Sequence, residues 1–332
     1  MKALVCREYA PYDKLVLDDI EPPVLRAGGV RIRVRATGLA FATSLVIAGK
    51  HQNKPDLPFV PGTEVAGEVI DCADDVTGLK PGDRVTAGVR SGGFAEEVVA
   101  ESHAVYPIPD AMDYAGATQF PTIYGTAYGG LIWRAGLSEG EVLLVHAAAG
   151  ASGLAALEVG QAVGATVIAT ASGDDKLAVA AAHGADHVIN YRTDNFRERV
   201  LALTGGRGAD VIFDPVGGDV FDQSLRCIAP EGRILPIGFA GGRIPVAPTN
   251  ILLVKNITVI GLYWGYYLGW GRVAAKPAEI ARVPEAMAKM FDWYGQGLLR
   301  PVTHAELAIE DFRQGFEALL SRQVVGKVVL TL

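Results

Sequence analysis

The sequence predicts an α/β protein, a doubly wound parallel sheet joined to a second, β-rich domain assembled from both ends of the chain. Three observations carry this. Strand-like apolar runs alternate with helix-length segments through the middle of the chain, a small-residue turn opens that stretch, and short alternating runs broken by Pro-Gly pairs precede it.

The first strand and its turn are the most informative. Val142–Ala147 is a short, mostly apolar run that reads as a buried parallel strand. It leads into Ala148-Ala149-Gly150-Ala151-Ser152-Gly153 and then an apolar helix, Leu154–Val163. Strand, tight turn and helix in this order suit a dinucleotide pyrophosphate. Glycine lets the backbone come close, and the helix start offers unpaired N–H groups at a positive dipole end. The spacing is Ala148-x-Gly150-x-x-Gly153, with alanine in place of the opening glycine. Gly150, Ala151, Ser152 and Gly153 are therefore candidate cofactor-binding residues.

Further strands are expected at Thr166–Ala171, His187–Tyr191, Asp210–Val216, Arg233–Gly238 and Thr258–Tyr263, six with the first. Helices Lys176–His183 and Asn195–Thr204 lie between them, and Gly184 and Gly205 stand at C-cap positions. Within residues 1–110, Val30–Ala36 and Val65–Ile70 alternate and are punctuated by Pro61-Gly62 and Pro81-Gly82-Asp83, the pattern of an irregular antiparallel domain. Pro277–Trp293 reads as a helix and Gly326–Leu332 as a strand. The expected domains are 1–120 with 266–332, and 121–265.

Composition is consistent with this. The 332 residues suit two domains, and Gly 40 suits many tight turns and close backbone approaches. A net charge of −7 with scattered basic residues argues against nucleic-acid binding, which needs a basic surface. Cys6, Cys72 and Cys227 are too sparse for a disulfide framework and fit free thiols in a cytoplasmic protein. Met1–Glu8 is too poor in apolar residues for a signal peptide, and no run of about 18 apolar residues points to a membrane span.

Several motifs then occur in order along nearly the whole chain. They are Leu57-Pro-Phe-Val-Pro-Gly-Thr-Glu-Val-Ala-Gly-Glu68, Gly78-Leu-Lys-Pro-Gly-Asp-Arg-Val85, Tyr124-Gly-Thr-Ala-Tyr128, the turn, Gly184-Ala-Asp-His-Val-Ile-Asn-Tyr191, Asp214-Pro-Val-Gly-Gly218 and Leu252–Gly261. In these the chain resembles the zinc-free, zeta-crystallin-like quinone oxidoreductases of the medium-chain dehydrogenase/reductase superfamily. The resemblance implies a GroES-like domain beside a Rossmann domain, with NADPH as cofactor. It implies hydride transfer to a quinone or to the activated C=C of an α,β-unsaturated carbonyl or acrylate. It also implies a homodimer, joined through Thr258–Tyr263 if that strand is the sheet edge.

Zinc members of the superfamily hold a catalytic ion with a cysteine and a histidine from the β-rich domain. Here Gly38-Leu-Ala-Phe-Ala-Thr-Ser44 contains no cysteine, and the Gly-His-Glu position reads Gly62-Thr63-Glu64. Three isolated cysteines cannot form a structural site, and His51, His103 and His146 are lone histidines. No metal is expected. Without a Lewis acid to lower an alcohol's pKa, alcohol oxidation is disfavoured, while hydride addition to an electron-poor double bond stays accessible.

NAD sites place an acidic residue at the end of the second strand. Here Thr166–Ala171 ends in Ser172-Gly173, and Ser172 lies 19 residues beyond Gly153. A small hydroxyl leaves room for a 2′-phosphate, and Lys176 can supply charge. The resemblance adds Tyr191 and Arg322 as contacts of the same phosphate. Lys176 also reads as a solvated helix lysine and Asp174 as an N-cap, and a strand ending two residues later would set Asp174 against the ribose and favour NAD.

Val216 and Gly238-Phe239-Ala240 stand at the ends of the fourth and fifth strands, where open α/β sheets bind ligands. The resemblance sets the second group near the nicotinamide, and ordinary strand-end packing is an equal reading. By the same resemblance Thr126 sits against the nicotinamide. Phe41, Thr43, Tyr263 and Trp264 are candidates for a planar substrate's pocket, with aromatic packing at a domain interface or dimer contact as the other reading, and His51, between Lys50 and Gln52, is either a proton donor or an exposed side chain. The chain departs from its relatives at Gly38-Leu-Ala40-Phe41-Ala-Thr43, where they often carry Gly-x-Asn-[Phe/Tyr]-x-Asp, and two tyrosines of some relatives correspond to Leu45 and His51. The competing reading is an NADPH-binding structural or regulatory protein with little turnover.

Overall fold

The computed structural model describes residues 1–52 and 54–332. The chain divides into two compact units: Met1–Thr122 with Gly265–Phe291 and Pro301–Leu332, and Ile123–Trp264 with Asp292–Arg300. The segment Asp292–Arg300, expected with the terminal domain, groups with the second unit, where Trp293 lies against Tyr128 and the Arg300 N–H donates to Glu158.

The strands in chain order are β1 Lys2–Val5, β2 Val16–Asp19, β3 Gly29–Leu39, β4 Glu64–Cys72, β5 Arg84–Gly88, β6 Glu97–Glu101 and β7 Val105–Pro107. Then come β8 Val142–Val145, β9 Thr166–Ala171, β10 His187–Asn190, β11 Ala209–Asp214, β12 Ile228–Pro236 and β13 Thr258–Val259, followed by β14 Thr303–Ala308 and β15 Lys327–Thr331.

The first unit is GroES-like. Its main sheet runs β14-β15-β3-β4-β5-β7, with β6 also paired to β3, and β1 pairs β2 separately. Strand β3 is the spine, antiparallel to β4, β6 and β15. Period-two alternation explains its burial: Val30, Ile32 and Val34 point into the core, while Arg31, Arg33 and Arg35 face outward. Register shifts at Arg31/Ile32 and Val34/Ala36 bend it, which makes the sheet irregular. The expected helix 277–293 is two helices, Pro277–Ile280 and Arg282–Gly295. Pro284 has no N–H to offer the carbonyl four residues back, so the helix restarts there.

The second unit is a Rossmann sheet. All its pairings are parallel, in the order β10-β9-β8-β11-β12-β13, the order 3-2-1-4-5-6 of a doubly wound fold. Leu144, Ile168, Ile212 and Ile234 from adjacent strands form its core with Phe196, Val200, Phe221 and Leu225 from the covering helices. The strand expected at 142–147 stops at Val145 because Ala147 turns left-handed, φ +49°. The edge strand β13 is only two residues long, not the six expected at Thr258–Tyr263. No helix among the described residues is long and apolar enough to cross a membrane.

Candidate functional site

The turn after β8 is built from close packing. Gly150 is the N-cap of the helix Ala151–Ala162, and its carbonyl accepts from the Leu154 N–H at 2.9 Å. A Cβ on Gly153 would run into the Ala147 carbonyl oxygen and lie 2.7 Å from the Ala148 Cα, so only glycine lets the helix approach the strand here. No side chain caps the first turn, which leaves its N–H groups at a positive dipole end. Ala151 and Ser152 are half-buried and Gly153 is buried.

Strand β9 ends at Ala171, so the next residue is the half-buried Ser172. Gly173 is the N-cap of the following helix, Asp174–Ala182. Asp174 is its first residue, not its cap, and accepts from the Asn190 side chain at 3.0 Å. Lys176 is half-buried on that helix and Tyr191 is exposed just beyond β10. Arg322, left-handed at φ +61°, belongs to the other unit. Within the second unit, the chemistry of the turn and of Ser172 and Lys176 fits a pyrophosphate on the turn and a phosphorylated ribose at the β9 end, where no carboxylate directly follows the strand.

The loops after β11 and β12 are laced together. Asp214 Oδ1 accepts from the Val216 and Gly217 N–H groups at 2.8 and 2.9 Å. Ala240 N–H donates to Pro215 O at 3.2 Å and Gly241 N–H to Val216 O at 2.8 Å. These bonds bring Val216 and Gly238–Ala240 to one place at the carboxyl ends of the strands, and Phe239 is exposed there.

Thr126 lies half-buried on Gly125–Tyr128, the α-helical turn of a continuous helical run, Phe120–Arg134, that is π-helical on either side. Next to it the Tyr124 hydroxyl donates to Glu158 Oε2 at 2.6 Å in a buried setting. Burial, reinforced by the Glu158 charge, pushes the Tyr124 hydroxyl well above the ordinary tyrosine range. Trp264 is 5% exposed, and Cβ atoms on Gly125 and Gly129 would lie 2.5 and 2.6 Å from its ring. Its indole therefore supports that helix, while the neighbouring Tyr263 is 44% exposed.

In the first unit, Phe41 and Thr43 lie on the helix Phe41–Ile47. Phe41 is 42% exposed and Thr43 is buried. Ala40, the N-cap, has no side-chain oxygen for the first turn. His51 is half-buried, its N–H donating to Leu45 O at 3.2 Å. Among the described residues no three His, Cys, Asp or Glu side chains converge as a metal site.

Three buried polar clusters were not legible in the motifs. Glu64 pairs with Lys327 and accepts from the Thr122 hydroxyl. Burial pushes the Glu64 carboxyl up, against the pull of Lys327. His146 joins Thr170 and Ser224 at 2.9 Å on each ring nitrogen. The Ser224 hydroxyl donates to Val220 O, so Nε2 of His146 carries the proton and Nδ1 accepts from Thr170. Glu158 is the third. The available signals were a lysine inside the apolar strand Gly326-Lys-Val-Val-Leu330 and a glutamate inside the apolar helix after the turn.

Comparison with known proteins agrees with this architecture. Residues 26–110 match the alcohol dehydrogenase GroES-like domain family, and residues 151–279 match the family described as zinc-binding dehydrogenase. The quinone oxidoreductase-like protein 2 homolog of Nematostella vectensis is 40% identical over 99% of this chain and 88% of that relative. The solved quinone oxidoreductase of Thermus thermophilus, studied also as its NADPH complex, superposes with a TM-score of 0.86 at 34% identity, covering all of both chains. The CurK enoyl reductase superposes with a TM-score of 0.88 at 26% identity, over 99% of this chain and 98% of that one. With a GroES-like unit, a Rossmann unit carrying a small-residue turn, and relatives matching end to end, this chain belongs to the quinone oxidoreductase family of the medium-chain dehydrogenase/reductase superfamily.

Proposed function

We propose that the protein is an NADPH-dependent, zinc-independent reductase that passes hydride to a quinone or to the activated C=C of an α,β-unsaturated carbonyl or acrylate. The observation that carries this is the turn at Gly150–Gly153 together with Ser172, in place of an acid, at the end of β9. The NADPH complex of the Thermus relative and the enoyl reductase activity named for CurK support the cofactor and substrate classes.

NADPH, when bound, supplies the hydride from its nicotinamide ring. The helix start at Gly150-Ala151-Ser152-Gly153 holds the pyrophosphate on backbone N–H groups. Ser172 and Lys176 take the 2′-phosphate, with Tyr191 and Arg322 as further candidates. Thr126, Val216 and Gly238–Ala240 orient the nicotinamide. Phe41 and Tyr263, both exposed, are the candidates for a flat substrate, whereas Thr43 and Trp264, expected beside them, are buried at 3 and 5% exposure; His51 is the candidate for protonating the enolate. Thr63 and the cysteine-free segment Gly38–Ser44 support the zinc-independent reading.

The test is oxidation of NADPH and NADH by chelator-treated protein against quinones, enones and acrylates. Turnover with NADPH that survives the chelator is expected. Tight NADPH binding without turnover on any acceptor would move the assignment to a binding protein, and NADH preference would move the ribose contact from Ser172 to Asp174.

A homodimer is part of the same proposal. Ile244, Val246, Leu253 and Val254 are 68, 77, 75 and 73% exposed near the sheet-edge strand β13 in sequence, a large apolar area for a monomer to leave wet. Sedimentation should give twice the chain mass, and Leu253→Glu with Val254→Lys should give a monomer. A cytoplasmic location is proposed on the three free thiols and is checked by cell fractionation.

A further inference from the structure

Glu158 is the one charged residue of the helix Ala151–Ala162, and it is fully buried. A lone carboxylate in such a place is costly unless its oxygens are used. Here both are. Oε2 accepts from the Tyr124 hydroxyl at 2.6 Å and from the Arg300 N–H at 2.9 Å, and Oε1 lies 2.6 Å from His183 Nδ1. The Arg300 guanidinium turns elsewhere, donating to Ala182 O at 2.6 Å.

The two ends of this contact belong to functionally different elements. Glu158 sits on the helix whose N-terminus forms the turn at Gly150–Gly153. Tyr124 lies on the same continuous helical run as Thr126, at the end of its π-helical turn Phe120–Tyr124. That helical run is held a second time, because Gly125 and Gly129, one helical turn apart, lie flat on the Trp264 indole with no room for a side chain. Gly125–Tyr128 is the one α-helical turn between π-helical turns at Phe120–Tyr124 and Gly129–Arg134, so both anchors act on the same continuous helical run as Thr126 and set where it stands. The wall of the helix is fixed by Trp264, and its depth relative to the turn is fixed by the Tyr124–Glu158 bond.

We propose that Tyr124 and Glu158 are positioning residues that hold Thr126 at a set distance from the pyrophosphate-binding turn. This inference rests on the reading that NADPH lies on that turn with its nicotinamide near Thr126. Ground-state cofactor affinity comes mainly from the turn and the β9 end, so loss of the anchor should act on the rate rather than on binding.

The experiment uses the full chain. Wild type, Tyr124→Phe, Glu158→Leu and Glu158→Gln are titrated with NADPH, assayed for kcat and KM, and labelled with 5-fluorotryptophan so that the ¹⁹F signal of Trp264 reports the helix without cofactor. Tyr124→Phe keeps the ring and removes one hydroxyl, so the fold should survive, as a thermal melt would show. It should move the Trp264 signal and lower kcat about 10- to 100-fold, the scale of a misplaced reacting group, with the NADPH Kd within about threefold. Glu158→Leu should fall alike. Glu158→Gln can rebuild every bond, its oxygen accepting from Tyr124 and Arg300 and its amide donating to the other tautomer of His183, and should retain most of the rate.

A Tyr124→Phe enzyme with wild-type kcat, or a loss confined to NADPH affinity, overturns the proposal. So does a Glu158→Gln enzyme as slow as Glu158→Leu, since charge would then matter and not the anchor. Wild-type protein that binds no NADPH overturns the functional reading and this inference with it, and its own titration identifies that case before any variant is compared.

Discussion

Lys327, at the start of β15, is ion-paired with Glu64, at the start of β4, and neither residue is more than 3% exposed. The pair lies beside Gly38 on β3, where any side chain would collide with both partners. A buried pair of this kind adds little over an apolar pair of the same shape, but removing one partner strands the other charge. Lys327→Met should therefore cost about 3–5 kcal/mol, and Glu64→Gln with Lys327→Met should recover a large part of it. Urea denaturation of the single and double variants checks this.

His146 supplies a pH dependence of stability. Burial lowers its pKa from 6.5 to about 4, against a smaller opposing pull from Asp214. The unfolded chain thus binds a proton that the folded one refuses. The stabilisation is full above about pH 6.5 and is lost as pH falls toward 4, a change on the order of 3 kcal/mol at most. His146→Asn should flatten the stability profile between those values, measured by chemical denaturation across the range.

Two glycines of the turn should answer differently to alanine. Gly153 has no room, with the Ala147 carbonyl and the Ala148 backbone against the added carbon. Gly150 has φ −76° and no neighbour nearer than 3.4 Å. In the protein without cofactor, Gly150→Ala should change stability by under about 0.5 kcal/mol, whereas Gly153→Ala should cost several. Thermal melts separate the two.

Cofactor choice is expected to turn on Ser172. Ser172→Asp puts a carboxylate where it bonds a ribose 2′-OH and repels a 2′-phosphate. The ratio of kcat/KM for NADPH over NADH should fall at least about tenfold, the effect of roughly 1.4 kcal/mol. An unchanged ratio would place the discriminating contact elsewhere.

At position 147 the backbone records a strain the motif conceals. Ala147 is left-handed, a conformation that costs an alanine roughly 1 kcal/mol or more. Ala147→Gly should relieve it and raise the melting temperature, since the relief exceeds the entropy that glycine adds to the unfolded chain.

The parallel sheet, the turn and the β-rich partner domain were legible from residue order, because these follow from local rules. Period-two alternation wrote Val30, Ile32 and Val34 into the core of β3, buried apolar runs marked β8, β9 and β11, and small residues marked the turn. Strand ends were less legible, since Ala147 and the two-residue β13 are set by backbone angles and edge pairing that no periodicity encodes. The tertiary structure alone decided which polar residues meet. Glu64 and Lys327 lie 263 positions apart, His146 and Ser224 78 apart, and Tyr124 and Glu158 34 apart. Burial makes such contacts obligatory once the chain is packed, but only the packing selects the partner, because a lone glutamate or lysine reads the same whether it ends in water or against its counterion.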